Sequence, residues 1–148
     1  MIYLGADHRG FEIKNSIFKF LKNSGLDVKD VGAYNYDPKD DYNDFAVTVA
    51  RAVRREKESC GILICGSGIG MSIQANRFKG VRATAATDDR LVKVSREHNN
   101  ANVLCLSADV SSEEQMQELI KTFLTTPFLA EPKYIHRNVR LDEREDYA

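Results

Sequence analysis

Little in this sequence points outward to a charged partner. Lys and Arg number 21 against 22 Asp and Glu, a formal net charge of -1, and no block of like charge occurs. That leaves no electrostatic reason to expect nucleic acid or an anionic membrane surface. Long apolar runs are missing too: none approaches the roughly 20 residues of a membrane span. The first residues, MIYLG, read as a strand and not as a basic segment followed by an apolar signal core. Cytoplasmic residence is therefore the expectation. Only three cysteines occur, Cys60, Cys65 and Cys105, an odd number with no C-x-x-C pair. This argues against a disulfide framework and against a structural zinc site. Repeats and low-complexity linkers are absent, so the 148 residues are expected to form one domain with a sizeable core.

What is present alternates. Met1 to Gly5 is a short apolar run that reads as a buried strand. Phe11, Ile13, Ile17, Phe18 and Leu21 recur at helical spacing, which predicts a helix over about Gly10 to Asn23. Leu26 to Val31 reads as a strand exposed on one side, Gly32 to Asp41 as a polar loop, and Tyr42 to Glu56 as a helix. Cys60 to Cys65 is the third strand, followed by glycines and a helix from about Met71 to Phe78. Gly80 to Ala86 and Ala101 to Leu106 are the fourth and fifth strands, with a polar helix at Asp88 to Glu97 between them. Ser111-Ser112-Glu113-Glu114 has the form of an N-cap with acidic first-turn residues, starting a helix that Thr126-Pro127 ends. A charged tail from about residue 131 forms a last helix from about His136. The pattern predicts an α/β, three-layer Rossmann-like sandwich: a five-stranded parallel sheet with helices on both faces.

Such sheets carry their sites at the carboxyl ends of the strands. Asp7 and His8 follow the first strand, and Cys65, Gly66, Ser67, Gly68 and Gly70 follow the third. His98 and Asn99 follow the helix after the fourth, and all of these are expected at one edge. The stretch GILICGSGIGMSIQAN, Gly61 to Asn76, is the grammar of a buried strand, a tight loop and a helix start. Amides left unpaired there favour an anion, and by the same token would lower the pKa of the Cys65 thiol. Cys65 could equally be a small buried hydrophobe, Asp7 a helix cap and His98 a helix-end histidine. Together they make an acid/base set around an anion pocket. The glycines run G-x-G-x-G after the third strand, which is not the G-x-G-x-x-G of a dinucleotide loop. Arg137 and Arg140 are either a solvated helix face or a phosphate clamp.

Four stretches carry a resemblance: GADHRGFEIK at Gly5 to Lys14, VGAYNYDPKDDYNDFA at Val31 to Ala46, GILICGSGIGMSIQANRFKGVRA at Gly61 to Ala83, and SREHNNANVLCLSA at Ser95 to Ala108. Together they resemble the type B ribose-5-phosphate isomerases, the family that includes the galactose-6-phosphate isomerase subunits. The resemblance implies a metal-free, cofactor-free aldose–ketose isomerase acting on a sugar phosphate through an enediolate. It implies that Cys65 moves the proton between C1 and C2, that Ser67 assists, and that the Gly66 to Gly70 amides hold the enediolate. It further implies that His98 with Asp7 opens the sugar ring, that His8 helps hold the phosphate, and that Asn99 and Tyr42 line the pocket. Homodimers or homotetramers with shared active sites are implied as well, with His8, Arg137 and Arg140 acting alongside a partner's residues. Two departures stand out. Asp109 lies where the family usually has a phosphate-binding arginine, and His136, Arg137 and Arg140 fit the family's C-terminal basic motif only with a shift. The same chemistry on another sugar, or a weakly catalytic binding subunit, are the alternatives these departures raise.

Overall fold

The computed structural model describes residues 1–143, so the last five residues of the expected domain lie outside the described residues. Five strands, β1 (Ile2–Ala6), β2 (Val28–Asp30), β3 (Cys60–Cys65), β4 (Ala83–Ala85) and β5 (Val103–Ser107), form one all-parallel sheet in the order β2-β1-β3-β5-β4. The helices are α1 (Phe11–Asn23), α2 (Tyr42–Arg55), α3 (Ile69–Ala75), α4 (Asp89–Asn99), α5 (Glu113–Thr125) and α6 (Pro132–Asp142). None of the described helices is long and apolar enough to cross a membrane.

The central strands show why the chain layers as it does. CGILIC and VLCLS are buried along nearly their whole length, the pattern of strands covered on both faces. Ile62 and Ile64 point into one core with Ile17, Leu21, Val92, Met116 and Phe123. Leu63 and Cys65 point into the other, with Ala46, Val49, Met71 and Ala75 from α2 and α3. Two apolar layers therefore sandwich the sheet, as the alternation predicts.

Several boundaries differ from expectation, and three of them have a plain physical reason. Helix α3 starts at Ile69, not Met71, because Gly68 takes the left-handed conformation and turns the chain into the helix there. Gly70 thus belongs to the helix's first turn. Strand β4 is shorter than Gly80 to Ala86, because Asn76 takes the place of a neighbouring strand at this edge: its amide donates to the Ala83 carbonyl and its carbonyl accepts from the Ala83 N–H. Helix α6 starts at Pro132, not His136, with proline in its first turn, where its missing N–H costs nothing.

Between β2 and α2 a polar loop crosses the top of the sheet. Its anchor is Lys14, 1% exposed, whose ammonium contacts both Asp30 carboxylate oxygens at 2.8 and 2.7 Å and the Ala33 carbonyl at 2.6 Å. Asp30 also accepts from the Gly32 N–H at 2.9 Å.

Candidate active site

At the carboxyl end of β3 the chain makes the tight turn Gly66-Ser67-Gly68 before entering α3. Gly68 has φ 78°, a conformation that strains any L side chain, and a Cβ there would lie 3.1 Å from the Cys105 carbonyl oxygen. This turn folds the loop back over its own cysteine, and the Gly68 N–H donates to Cys65 Sγ at 3.1 Å. The Ser67 hydroxyl accepts from the Ile69 N–H at 3.2 Å and so ties the start of α3. Tyr42, the first residue of α2, lays its ring over Gly70. A Cβ on Gly70 would come within 2.5 to 2.9 Å of that ring, so glycine is what lets the tyrosine reach the loop.

Charges gather beside the thiol at the switch point between β1 and β3. Asp7, 5% exposed at the end of β1, accepts from the Arg9 N–H at 2.9 Å and the Gly10 N–H at 3.3 Å. Burial pushes its carboxyl above the usual range; the Gly10 and Arg9 amides and His8 work against this, and Asp40 adds to it. His8 is half-buried and paired with Asp40. Asp7, His8 and Asp40 are the one group among the described residues whose metal-ligating atoms converge, all within 4.8 Å of one another. Two of those atoms already meet in the His8–Asp40 contact.

The thiol differs from expectation. Burial pushes Cys65 up, not down; the Gly68 amide opposes this, the Asp7 carboxylate reinforces it, and the Ser67 and Met71 amides pull it back. The converging amides are present as read, but a side chain 4% exposed pays a desolvation cost larger than they return. Cys60 and Cys105 are raised by burial without such amides, Cys60 to about 11. Iodoacetamide should therefore alkylate Cys65 slowly at neutral pH, and roughly tenfold faster per pH unit until the thiol ionises. Mass-spectrometric timing of Cys65 labelling across pH checks this; a rate already flat from neutral pH upward would contradict it.

Asp109 does not stand as a bare acid in the site. Its carboxylate pairs with the Arg9 guanidinium across Gly66, and its N–H donates to the Gly66 carbonyl at 3.0 Å. The pair is half-exposed, so it contributes at most about 1 kcal/mol to stability. It does neutralise the charge that would repel a phosphate.

His98 and Asn99 are not at this edge within one chain. They end α4, which runs back to the starts of the strands. Asn102, three residues on, accepts at its carbonyl from the Gly61 N–H, at the opposite end of β3 from Cys65. Gly61 and Cys65 are four residue steps apart along β3, about 13 Å. His98 instead stacks on Tyr134 of α6, with ring centroids 4.4 Å apart, and its carbonyl accepts from Asn138 at 3.0 Å. Arg137 and Arg140 are exposed on this same α6. The chain thus holds the residues singled out from the sequence in two groups: Asp7, His8, Tyr42, Cys65 and the glycine loop at one edge, and His98, Asn99 and α6 at the other.

Sequence reasoning missed Asp40 and Arg9. Asp40 lies in an acidic run read as loop, and Arg9 between Asp7-His8 and a glycine; no spacing signal marks either.

A family model described as Ribose/Galactose Isomerase matches residues 2–141. A probable ribose-5-phosphate isomerase B of Mycoplasma pneumoniae is 39% identical over 127 residues, covering 86% of this chain and 84% of that protein. A D-erythrulose-4-phosphate isomerase of Pectobacterium atrosepticum is 40% identical over 130 residues, covering 86% and 84%. Among solved structures, ribose-5-phosphate isomerase B from Mycoplasma genitalium with bound ribulose-5-phosphate matches with a TM-score of 0.91 at 34% identity, covering 95% of this chain and 93% of that one.

Proposed function

The chain belongs to the ribose/galactose isomerase family, and from that membership we propose that it interconverts ribose 5-phosphate and ribulose 5-phosphate by proton transfer through Cys65. The observation that carries this is a thiol held under converging amides beside a buried carboxyl. That arrangement suits removal of a proton next to a carbonyl. The Cys65 thiolate takes the proton from C2; the electrons of that C–H bond form a C1–C2 double bond, and the π pair of the C1 carbonyl moves onto its oxygen to give the enediolate. The loop amides Gly66 to Gly70 receive the developing oxyanion, where one preorganised donor is worth about 3 kcal/mol. Ser67 assists the proton's movement between the two oxygens. Returning the Cys65 proton to C1 leaves the carbonyl at C2, so the atoms balance with no metal or cofactor in the step.

A single chain supplies half of what the reaction needs. Ring opening by Asp7 with His98, and phosphate binding by His8 with Arg137 and Arg140, require His98, Asn99 and α6 to come from a second copy. We therefore place the complete site between subunits of a homodimer or homotetramer, the tail from about residue 131 reaching across, in the cytoplasm.

The D-erythrulose-4-phosphate isomerase relative supports a second reading, the same chemistry on a shorter sugar phosphate. Turnover on ribose 5-phosphate, D-erythrulose 4-phosphate and free ribose separates the two. The first reading expects the highest kcat/KM on ribose 5-phosphate and almost none on free ribose. A clear preference for the four-carbon substrate overturns it.

A further inference from the structure

The His8 ring is held by a residue from a different loop. Asp40, at the end of the β2–α2 loop, has a side chain 11% exposed. One of its oxygens, Oδ1, accepts from the His8 main-chain N–H at 3.0 Å and lies 2.7 Å from His8 Nδ1. The other, Oδ2, is buried without a hydrogen-bond partner among the described residues. A single carboxylate oxygen thus grips both the backbone and the ring of one histidine. An ionised carboxylate oxygen has no hydrogen to give, so across the 2.7 Å contact it accepts from the ring and Nδ1 carries the proton. Nε2 is then the ring nitrogen left to act, on a residue that lines a cavity of about 380 Å³ together with Arg9, Glu12 and Tyr36.

Resting on the reading that Asp7 and His8 serve a sugar phosphate, we propose that Asp40 is a positioning residue of the reaction, fixing the rotamer and the Nδ1–H tautomer of His8. An imidazole presented through Nε2 offers a substrate oxygen a partner of defined direction, and its own charge, when present, is matched by the carboxylate behind it. The anchor itself is set by the fold. The loop bearing Asp40 starts at the Lys14–Asp30–Ala33 node and ends at Tyr42, which lies over Gly70. Asp40 also faces Asp7, as do His8 from the same turn and Cys65 from β3. Its negative charge hinders ionisation of Asp7, so replacing it acts on two members of the site at once.

Nitrogen-15 NMR of the histidine rings, on the whole protein in alkaline buffer, tests the tautomer directly. Wild-type His8 should show a protonated Nδ1 and a bare Nε2. Asp40→Ala should revert to Nε2–H, the form an isolated neutral imidazole favours. Asp40→Asn keeps an acceptor and loses the charge. It should lower kcat/KM on ribose 5-phosphate at least about tenfold and move the acidic limb of the pH profile to lower pH, because Asp7 then ionises sooner. A wild-type His8 protonated on Nε2, or an Asp40→Asn profile superimposable on wild type, overturns the proposal. A wild type that turns over no sugar phosphate defeats the functional reading, while the tautomer spectrum still decides the role of Asp40.

Discussion

Cys65→Ala should lower kcat/KM on ribose 5-phosphate by at least about 10³-fold while the protein remains folded, the scale expected when the group that moves the proton is removed. The two halves of that expectation have different origins. Loss of activity follows because Sγ is the only atom deleted, and it is the atom that the Gly68 amide addresses at 3.1 Å. Retention of the fold follows from size: deleting one sulfur from a site 4% exposed costs about 1 kcal/mol in lost contacts and cavity. Cys105→Ala is the matched control. It removes an equally buried sulfur, 1% exposed on the neighbouring strand, at a similar cost in stability. It should leave turnover near wild type. Progress curves and thermal denaturation on both variants make the comparison. Equal activity in Cys65→Ala and wild type would remove Cys65 from the chemistry.

Asp30→Ala should be far more damaging to stability than Lys14→Met, although each removes one partner of the same ion pair. Lys14 is 1% exposed, while Asp30 keeps a quarter of its side chain in solvent. Without Asp30 the ammonium stays buried with the Ala33 carbonyl as its remaining hydrogen-bond partner, and the Gly32 N–H loses its acceptor. Stranding a buried charge in this way costs about 3–5 kcal/mol. Without Lys14, Asp30 can turn its carboxylate to water and Met fills the space among Phe11 and Tyr34 at roughly 1–2 kcal/mol. Urea unfolding of both variants, read as a change in midpoint at constant slope, gives the difference. The order of the two effects is what the burial asymmetry dictates; the reverse order would mean that the lysine's aliphatic packing outweighs its charge.

The sheet was legible because its central strands are near-continuous apolar runs, CGILIC and VLCLS, between glycine and polar punctuation. The α5 start was legible for a local reason as well: Ser112 and Gln115 close a reciprocal capping box, a pattern written within four residues. Where the reading slipped, the deciding contact was distant in sequence. Gly70 looks like loop until Tyr42 is seen to occupy the space of its side chain. Asp109 looks like a repulsive acid until Arg9, from the far end of the chain, is seen to hold it. The Cys65 thiol was read from the amides around it, and its burial came from α2 and α3 packing. His98 is a different case. A residue just before a strand must lie at that strand's start, so its distance from Cys65 was implicit in the order of elements, and the reading that all polar residues meet at one edge overlooked it.

That separation gives the account its sharpest test. Cys65→Ala and His98→Ala should each be nearly inactive alone, since one lesion lies in each half-site. Unfolded together and refolded as an equal mixture, they should recover roughly a quarter of wild-type activity. Half of randomly paired dimers are mixed, and each mixed dimer holds one site with both residues intact. Recovery at that level is the predicted result. A mixture no more active than its components, with dimer exchange verified by mass spectrometry, would contradict a site shared between copies of this chain.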